Sequence, residues 1–268
     1  MPLKSCRIVS WNINSVRIRI PLLQKLVEQY HPDVICLQET KVTDDDFPLA
    51  DLQALGFLHI IFSGQKSYNG VAILAKHKFG NVDRLTIAGS DDKRHISIEL
   101  ESGVALHNFY IPAGGDIPDP AQNPAYDFKL RFVEDMTVWS EKLKKSARNA
   151  IILWDFNIAP LEHDVWSHKQ LMNVVSHTEP EITRLNSLKE SYNWCDVARH
   201  FISEEQKLYS WWSYRNKDWR KSDRGRRLDH IWVTPDLTPA LKNFSILKDF
   251  RDYPSPSDHV PVLMEIDL

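Results

Sequence analysis

Short apolar runs alternate with segments of helical period along almost the whole chain. Residues 7–13 read as a buried strand, and Pro21, a residue suited to a first helical turn, opens a helix carrying Leu22, Leu23, Leu26 and Tyr30 on one side. His31-Pro32-Asp33 breaks that helix, and residues 34–37 form a second apolar strand running into Gln38-Glu39-Thr40. Further strands are predicted at 58–62, 71–75, 95–100 and 104–110. Residues 111–124, with four prolines and two adjacent glycines, read as a long functional loop. A helix over 126–145 follows, with Phe128, Phe132, Met136 and Trp139 along one side, and then a buried strand at 151–154. The second half adds strands at 228–234 and 260–266. No linker, repeat or low-complexity tract divides the chain. The pattern predicts an α/β fold of two packed sheets with helices outside, forming one domain over residues 1–268.

Composition narrows the class without naming a partner. The chain has 268 residues, 26% charged and 43% hydrophobic, which is ordinary for a globular protein. A net charge of −3 argues against blanket electrostatic binding to nucleic acid. Cys6, Cys36 and Cys195 are too few and too scattered for a disulfide framework or a zinc site. Neither a signal-peptide pattern nor an apolar run of about 20 residues is seen, so a cytoplasmic protein without a membrane partner is expected. Monomer is the default expectation for its assembly.

Candidate chemistry lies at the strand ends. Apolar strands terminate in Asn12, Glu39, Tyr110, Asp155 with Asn157, Asp229, and Asp258 with His259. One such residue is explained by turn formation; the recurrence points to a site assembled on a rigid scaffold. Glu39, Asp258 and the carbonyl oxygen of Asn12 are hard donors that suit Mg²⁺, with Mn²⁺ as the alternative. Asp229 would hold the imidazole of His259, Asp155 would orient or deprotonate a water, and Asn157 and Tyr110 would donate to developing charge. These parts fit hydrolysis of a phosphate ester.

Seven blocks carry a family resemblance: Ser10-Trp11-Asn12-Ile13-Asn14, Leu37-Gln38-Glu39-Thr40-Lys41, Tyr110-Ile111-Pro112, Asp155-Phe156-Asn157-Ile158-Ala159-Pro160, Ser210-Trp211-Trp212-Ser213-Tyr214-Arg215, Arg227-Leu228-Asp229 and Pro256-Ser257-Asp258-His259-Val260-Pro261-Val262. In this order they resemble the bacterial exonuclease III family of abasic-site endonucleases, within the endonuclease/exonuclease/phosphatase superfamily. The resemblance implies a four-layer α/β sandwich like that of deoxyribonuclease I. It also implies Mg²⁺-dependent cleavage 5′ to abasic sites in duplex DNA, with 3′→5′ exonuclease and 3′-phosphatase activities, in a bacterial cytoplasmic protein working at the nucleoid. Carried over by position, Glu39 would be the principal metal ligand, with Asn12, Asp258, Asp155 and Asn157 around the metal. Asp155, Tyr110 and His259 remain alternatives for the general base, with Asp155 favoured. Two positions depart from the family's pattern: Trp154 stands where glycine is usual, and Ala113 where many relatives carry Asn or Gln. Strand alternation predicts that Trp154 points away from Asp155; the competing expectation is a distorted site. Gly114 and Gly115 would offer backbone N–H groups in place of the donor missing at Ala113.

Residues 207–227 hold eight cations against two carboxylates, a local net of +6, interleaved with Trp211, Trp212, Trp219 and Tyr214. Such a mixture suits stacking and phosphate contact together. The segment supplies Arg215, Lys221 and Arg226 as candidate DNA-binding residues, joined by Lys41 and, more weakly, Arg17 and Arg19. The resemblance implies that Trp211, Trp212 and Leu228 line a pocket for a flipped-out abasic sugar. Two other readings compete: a phosphatase or phosphodiesterase acting on a non-DNA substrate, and a DNA-binding member with catalysis weakened by Trp154.

Overall fold

The computed structural model describes residues 5–268. Among the described residues, fourteen strands appear in chain order. They are β1 (Ser5–Asn12), β2 (Val34–Gln38), β3 (His59–Ser63), β4 (Val71–Ala75), β5 (Gly80–Asp83), β6 (His95–Glu99) and β7 (Ala105–Tyr110). The second half contributes β8 (Ala150–Asp155), β9 (Cys195–Asp196), β10 (Trp211–Trp212), β11 (Gly225–Arg226), β12 (Asp229–Val233), β13 (Leu241–Ile246) and β14 (Val262–Asp267). The helices are α1 (Ile20–Tyr30), α2 (Leu49–Ala54), α3 (Pro124–Lys145), α4 (His168–Leu171), α5 (Glu179–Tyr192), α6 (Val197–Phe201) and α7 (Trp219–Ser222).

Two six-stranded mixed sheets result, ordered β13-β14-β1-β2-β4-β3 and β5-β6-β7-β8-β12-β9. Alternation along each strand sorts side chains between layers. On β8, Ile151 and Leu153 enter the core between the sheets with Ile8, Ile73, Leu106 and Met264. Ile152 and Trp154 face outward, beneath Phe132 and Met136 of α3 and Leu185 and Leu188 of α5. Leu22 and Leu26 of α1 and Leu52 of α2 cover the outer face of the other sheet. This is the expected four-layer sandwich. The strands β5, β9, β10, β11 and β13, and the helices α2 and α4 to α7, lie outside the sequence expectations; β5 is exposed throughout and has no apolar face to detect.

The topology concentrates strand ends. Parallel pairing of β1 with β2 sets Asn12 beside Gln38, and parallel pairing of β7 with β8 sets Tyr110 beside Asp155. Antiparallel β12 then begins with Asp229 opposite Asp155. A buried polar clip joins the two sheets nearby: Gln38 Nε2 donates to Ser10 Oγ (3.0 Å) and Asn108 Oδ1 (2.6 Å), while Asn108 Nδ2 donates to the carbonyls of Leu37 and Ala72.

Candidate active site

The chain turns sharply as it leaves β2 and β8, with Glu39 at φ 52° and Asn157 at φ 53°. Left-handed backbone is costly for such residues and is retained where surroundings over-determine it. At Glu39 the following residue is locked by Thr40 N–H to Gly70 O (3.1 Å), and Gly70 is required there, since a Cβ would lie 2.1 Å from Thr40 Oγ1. At Asn157 the lock is an Asx turn, its N–H donating to Asp155 Oδ1 at 2.9 Å.

Asn12 bridges the two sheets' carboxylates. Its Nδ2 donates to Glu39 Oε1 (2.8 Å) and to Asp155 Oδ2 (2.9 Å), while its carbonyl oxygen accepts the N–H of Asn14. Tyr110 OH donates to the same Glu39 oxygen at 2.8 Å. Arg94 lies over the Tyr110 ring, its guanidinium carbon 4.9 Å from the centroid. Burial raises the Tyr110 phenol well above its usual range, and the adjacent Glu39 and Asp155 charges add to the shift, so this hydroxyl is a donor.

The third group is a dyad. Asp229 Oδ2 lies 2.8 Å from His259 Nδ1 and accepts Ser210 Oγ at 2.6 Å; the Ser210 oxygen in turn accepts the N–H groups of Leu228 and Asp229. His259 Nε2 is 3.7 Å from Asp155 Oδ2. Burial pulls the imidazole pKa down, but Asp229 and then Asp155 outweigh it, raising His259 to about 10. Burial raises Asp155, opposed by His259 and reinforced by Asp229. An imidazolium between two carboxylates, with Nδ1–H on Asp229, leaves Nε2–H directed to the reaction side.

Asp258 and Glu39 flank a smaller oxygen-rich corner. Asn14 Nδ2 donates to Asp258 Oδ1 (3.0 Å), Trp211 Nε1 donates to Asp258 Oδ2 (3.0 Å), and Lys41 Nζ contacts Glu39 Oε2 (2.6 Å) and Asn14 Oδ1 (2.7 Å). Lys41, with a hydrogen bond from Asn12, lowers the Glu39 carboxyl pKa against the effect of burial. A cation therefore already sits among hard oxygen donors here, and the donor set suits a divalent ion of the Mg²⁺ type. Asp155, Asp229 and His259 also converge closely enough for a metal, with one hydrogen bond among them, His259 to Asp229, and Asp229 Oδ1 left without a partner.

All the predicted catalytic residues, Tyr110, Asp155, Asn157, Asp229 and His259, come together with Asn12, Glu39 and Asp258. Trp154 lies on the opposite face of β8, fully buried, its ring 3.9 Å from Phe156 and 5.3 Å from both Phe109 and Trp232. Several binding expectations change. Trp212 is fully buried and packs on Trp219 at 4.8 Å, so it supports the surface and does not line it. Arg226 Nη1 is held by Val175 O (3.0 Å) and Ser176 Oγ (2.5 Å), and Lys41 is tied to Glu39 and Asn14. Arg19 is buried, donating to Pro256 O and Tyr214 OH. Arg227, counted in the +6 segment, is wholly internal, paired with Asp164 and Asp196. Arg215, Lys217, Lys221 and Arg224 remain exposed. Leu228 joins Ala159, Val165 and Leu171 in an apolar cluster against which Trp166 and Trp211 pack. Asn14 and Ser210 had no role assigned from sequence, although both stand inside the quoted blocks; their placement among polar motif residues was the available signal.

Comparisons with known proteins agree with this geometry. Residues 9–259 match the Endonuclease/Exonuclease/phosphatase family. The exodeoxyribonuclease III of Haemophilus influenzae is 31% identical over 97% of this chain and 99% of its own length. An AP endonuclease from Archaeoglobus fulgidus superposes with a TM-score of 0.90 at 30% identity, covering 98% of this chain and 100% of that one. The 3′ phosphatase NExo from Neisseria, bound to product DNA hairpin, superposes at 0.89, also at 30% identity and with the same coverage. The chain belongs to the endonuclease/exonuclease/phosphatase family.

Proposed function

We propose that this protein is a DNA-repair nuclease of the exodeoxyribonuclease III type. It hydrolyses the phosphodiester bond 5′ to abasic sites in duplex DNA and also trims and dephosphorylates 3′ ends. The observation that carries the reading is the convergence of Glu39, Asn12, Asp155 and the Asp229–His259 dyad on one bonded network drawn from both sheets. Relatives named for exonuclease, AP endonuclease and 3′ phosphatase activity support it.

Glu39, as principal ligand, and Asp258 would hold Mg²⁺, with Asn12, Asp155 and Asn157 around it. When bound, the ion supplies Lewis-acid polarisation of the phosphoryl group and offsets charge on the leaving oxygen. Asp155, fixed by Asn12 and Asn157, orients the attacking water and receives its proton. His259, kept protonated by Asp229, donates from Nε2 to a phosphoryl oxygen, and Tyr110 OH and Asn157 Nδ2 join it by exchanging their present acceptors, Glu39 Oε1 and Ile111 O, for the phosphate. The exposed Arg215, Lys217, Lys221 and Arg224 track the backbone. The Leu228 and Trp211 cluster receives the sugar that lacks a base, whose extrusion is cheapest. The whole chain works as one unit and as a monomer.

An abasic duplex incubated with Mg²⁺ should be nicked 5′ to the lesion, and chelation should abolish nicking. Glu39→Ala should lower kcat by about 10²–10³-fold. Nicking that persists without metal, or in Glu39→Ala, would falsify the assignment. Binding without nicking would support a DNA-binding member without catalysis, and phosphate release only from non-DNA esters would support the phosphatase reading.

A further inference from the structure

Lys129 lies on α3 with no exposed side-chain surface, and its ammonium pairs with Glu181 of α5, equally buried. Removing a lysine and a glutamate from water costs several kcal/mol per ion, and an apolar pair of similar volume is often as stable. Packing therefore does not account for the pair. Its hydrogen bonds do. Lys129 Nζ donates to the carbonyl of Asn157 at 2.7 Å and to that of Ala113 at 3.3 Å. Asn157 is the residue held at φ 53°, with its Nδ2 on Asp155 Oδ2 (3.1 Å) and Ile111 O (3.0 Å). Glu181 in turn accepts the N–H groups of Ser176 and Thr178 and the Thr178 hydroxyl. Ser176 O then accepts the N–H of Ala159 at 2.7 Å. One ammonium thus joins the Asp155–Asn157 turn, the proline-rich loop and the start of α5. Gly114, at φ 86°, packs directly on it, and a Cβ there would lie 2.8 Å from Lys129 Cδ.

We propose that Lys129 is a positioning residue for phosphoester hydrolysis, holding the Asn157 turn and the Ala113–Gly114 loop in a single register around Asp155. The proposal rests on the hydrolytic reading of the site.

The test is the double variant Lys129→Met/Glu181→Gln, in which methionine fills the stem's volume and glutamine keeps an acceptor for Ser176 and Thr178. It should melt cooperatively, with KM for abasic duplex unchanged and kcat lowered about 10–10²-fold, the scale of a small misplacement of a catalytic group. Wild-type kcat in the folded double variant, or a loss carried wholly by KM, overturns the proposal. Should the double variant not fold, Gly114→Ala displaces the same contact from the surface side; a kcat loss at constant KM supports the role and an unchanged kcat removes it. If the unmutated protein cuts no DNA phosphoester, the functional reading fails separately. Positioning is then read from the Asn157 side-chain amide cross-peak in a ¹H–¹⁵N spectrum. Broadening or splitting in the double variant supports the role, and an unaltered peak overturns it.

Discussion

Asn12 directs one amide nitrogen at two carboxylates that belong to different sheets, Glu39 at 2.8 Å and Asp155 at 2.9 Å. Charges this close repel, and a shared neutral donor is what keeps them at hydrogen-bond range without neutralising either. Aspartate at this position would replace the donor with a third negative charge, whereas alanine removes the bridge together with the acceptor of the Asn14 N–H. Asn12→Ala should therefore leave the fold intact and lower single-turnover cleavage by about 10²-fold, because both groups lose their alignment together. Rapid-quench measurement at saturating DNA checks this; a loss below about threefold would mean that Tyr110, Asn157 and Lys41 suffice to hold the carboxylates. Ser210 acts one step further out, on Asp229. Ser210→Ala leaves two buried N–H groups without their acceptor and should cost about 1–3 kcal/mol of stability, read from the denaturant midpoint.

At the scale of elements, β8 shows how alternation separates stability from chemistry. Asp155 faces the inter-sheet site, and Trp154 stands among Phe109, Phe156 and Trp232 under α3 and α5. Trp154→Gly should consequently open a cavity and cost about 3–5 kcal/mol in chemical denaturation, with cleavage per folded molecule little changed. A faster rate in the variant would instead place the strain of this ring in the active site. A second elemental tie is Arg227, which bonds Asp164 and Asp196 and joins β12 to the start of α6. Burial raises the Asp196 carboxyl pKa, and Arg227 more than reverses it, leaving Asp196 below its ordinary value. A carboxylate depressed in the folded state contributes stability above its unfolded pKa of about 3.9, and that contribution is lost as pH falls through the folded value. Thermal melts should fall away below about pH 4, and Asp196→Asn should flatten that acid limb while lowering stability at neutral pH. The elements themselves are legible where the apolar signal is strong: β2, β4, β7 and β8 are buried on both faces and read as continuous apolar runs, while α1 follows its helical period. The helix α5 was missed although Thr178 and Glu181 form a capping box, because its buried positions are few and one is the charged Glu181 itself. Lys129 was illegible for the same reason. Nothing in a 3.6-residue pattern distinguishes a buried lysine from a solvated one.

Across the whole molecule, charge is distributed by depth more than by segment. The stretch 207–227 looked like a uniform basic surface, but the fold buries Arg227, ties Arg226 to Val175 and Ser176, and pairs Arg220 with Asp249 and Asp252. What stays exposed outside these pairs is a narrower set, Lys207, Arg215, Lys217, Lys221 and Arg224, the last with its guanidinium 4.7 Å from the Trp166 ring. Sequence separates the motif residues well because each sits at a strand end, whereas the fate of an arginine depends on carboxylates far away in the chain. A net charge of −3 is thus compatible with a focused cationic strip beside a carboxylate-rich centre. Such a strip should bind DNA chiefly through counterion release, with the logarithm of affinity falling linearly with that of salt. Arg215→Ala/Lys221→Ala should weaken binding across sequences and reduce the salt slope by about 0.9 for each phosphate no longer neutralised. Lys145→Ala, at the far end of α3, provides the control and should leave the slope where it was. Fluorescence anisotropy with a chelator present reads binding apart from cleavage. A slope unaltered by the double substitution would move the DNA track away from residues 213–224 and toward the loop around Arg17 and Lys41.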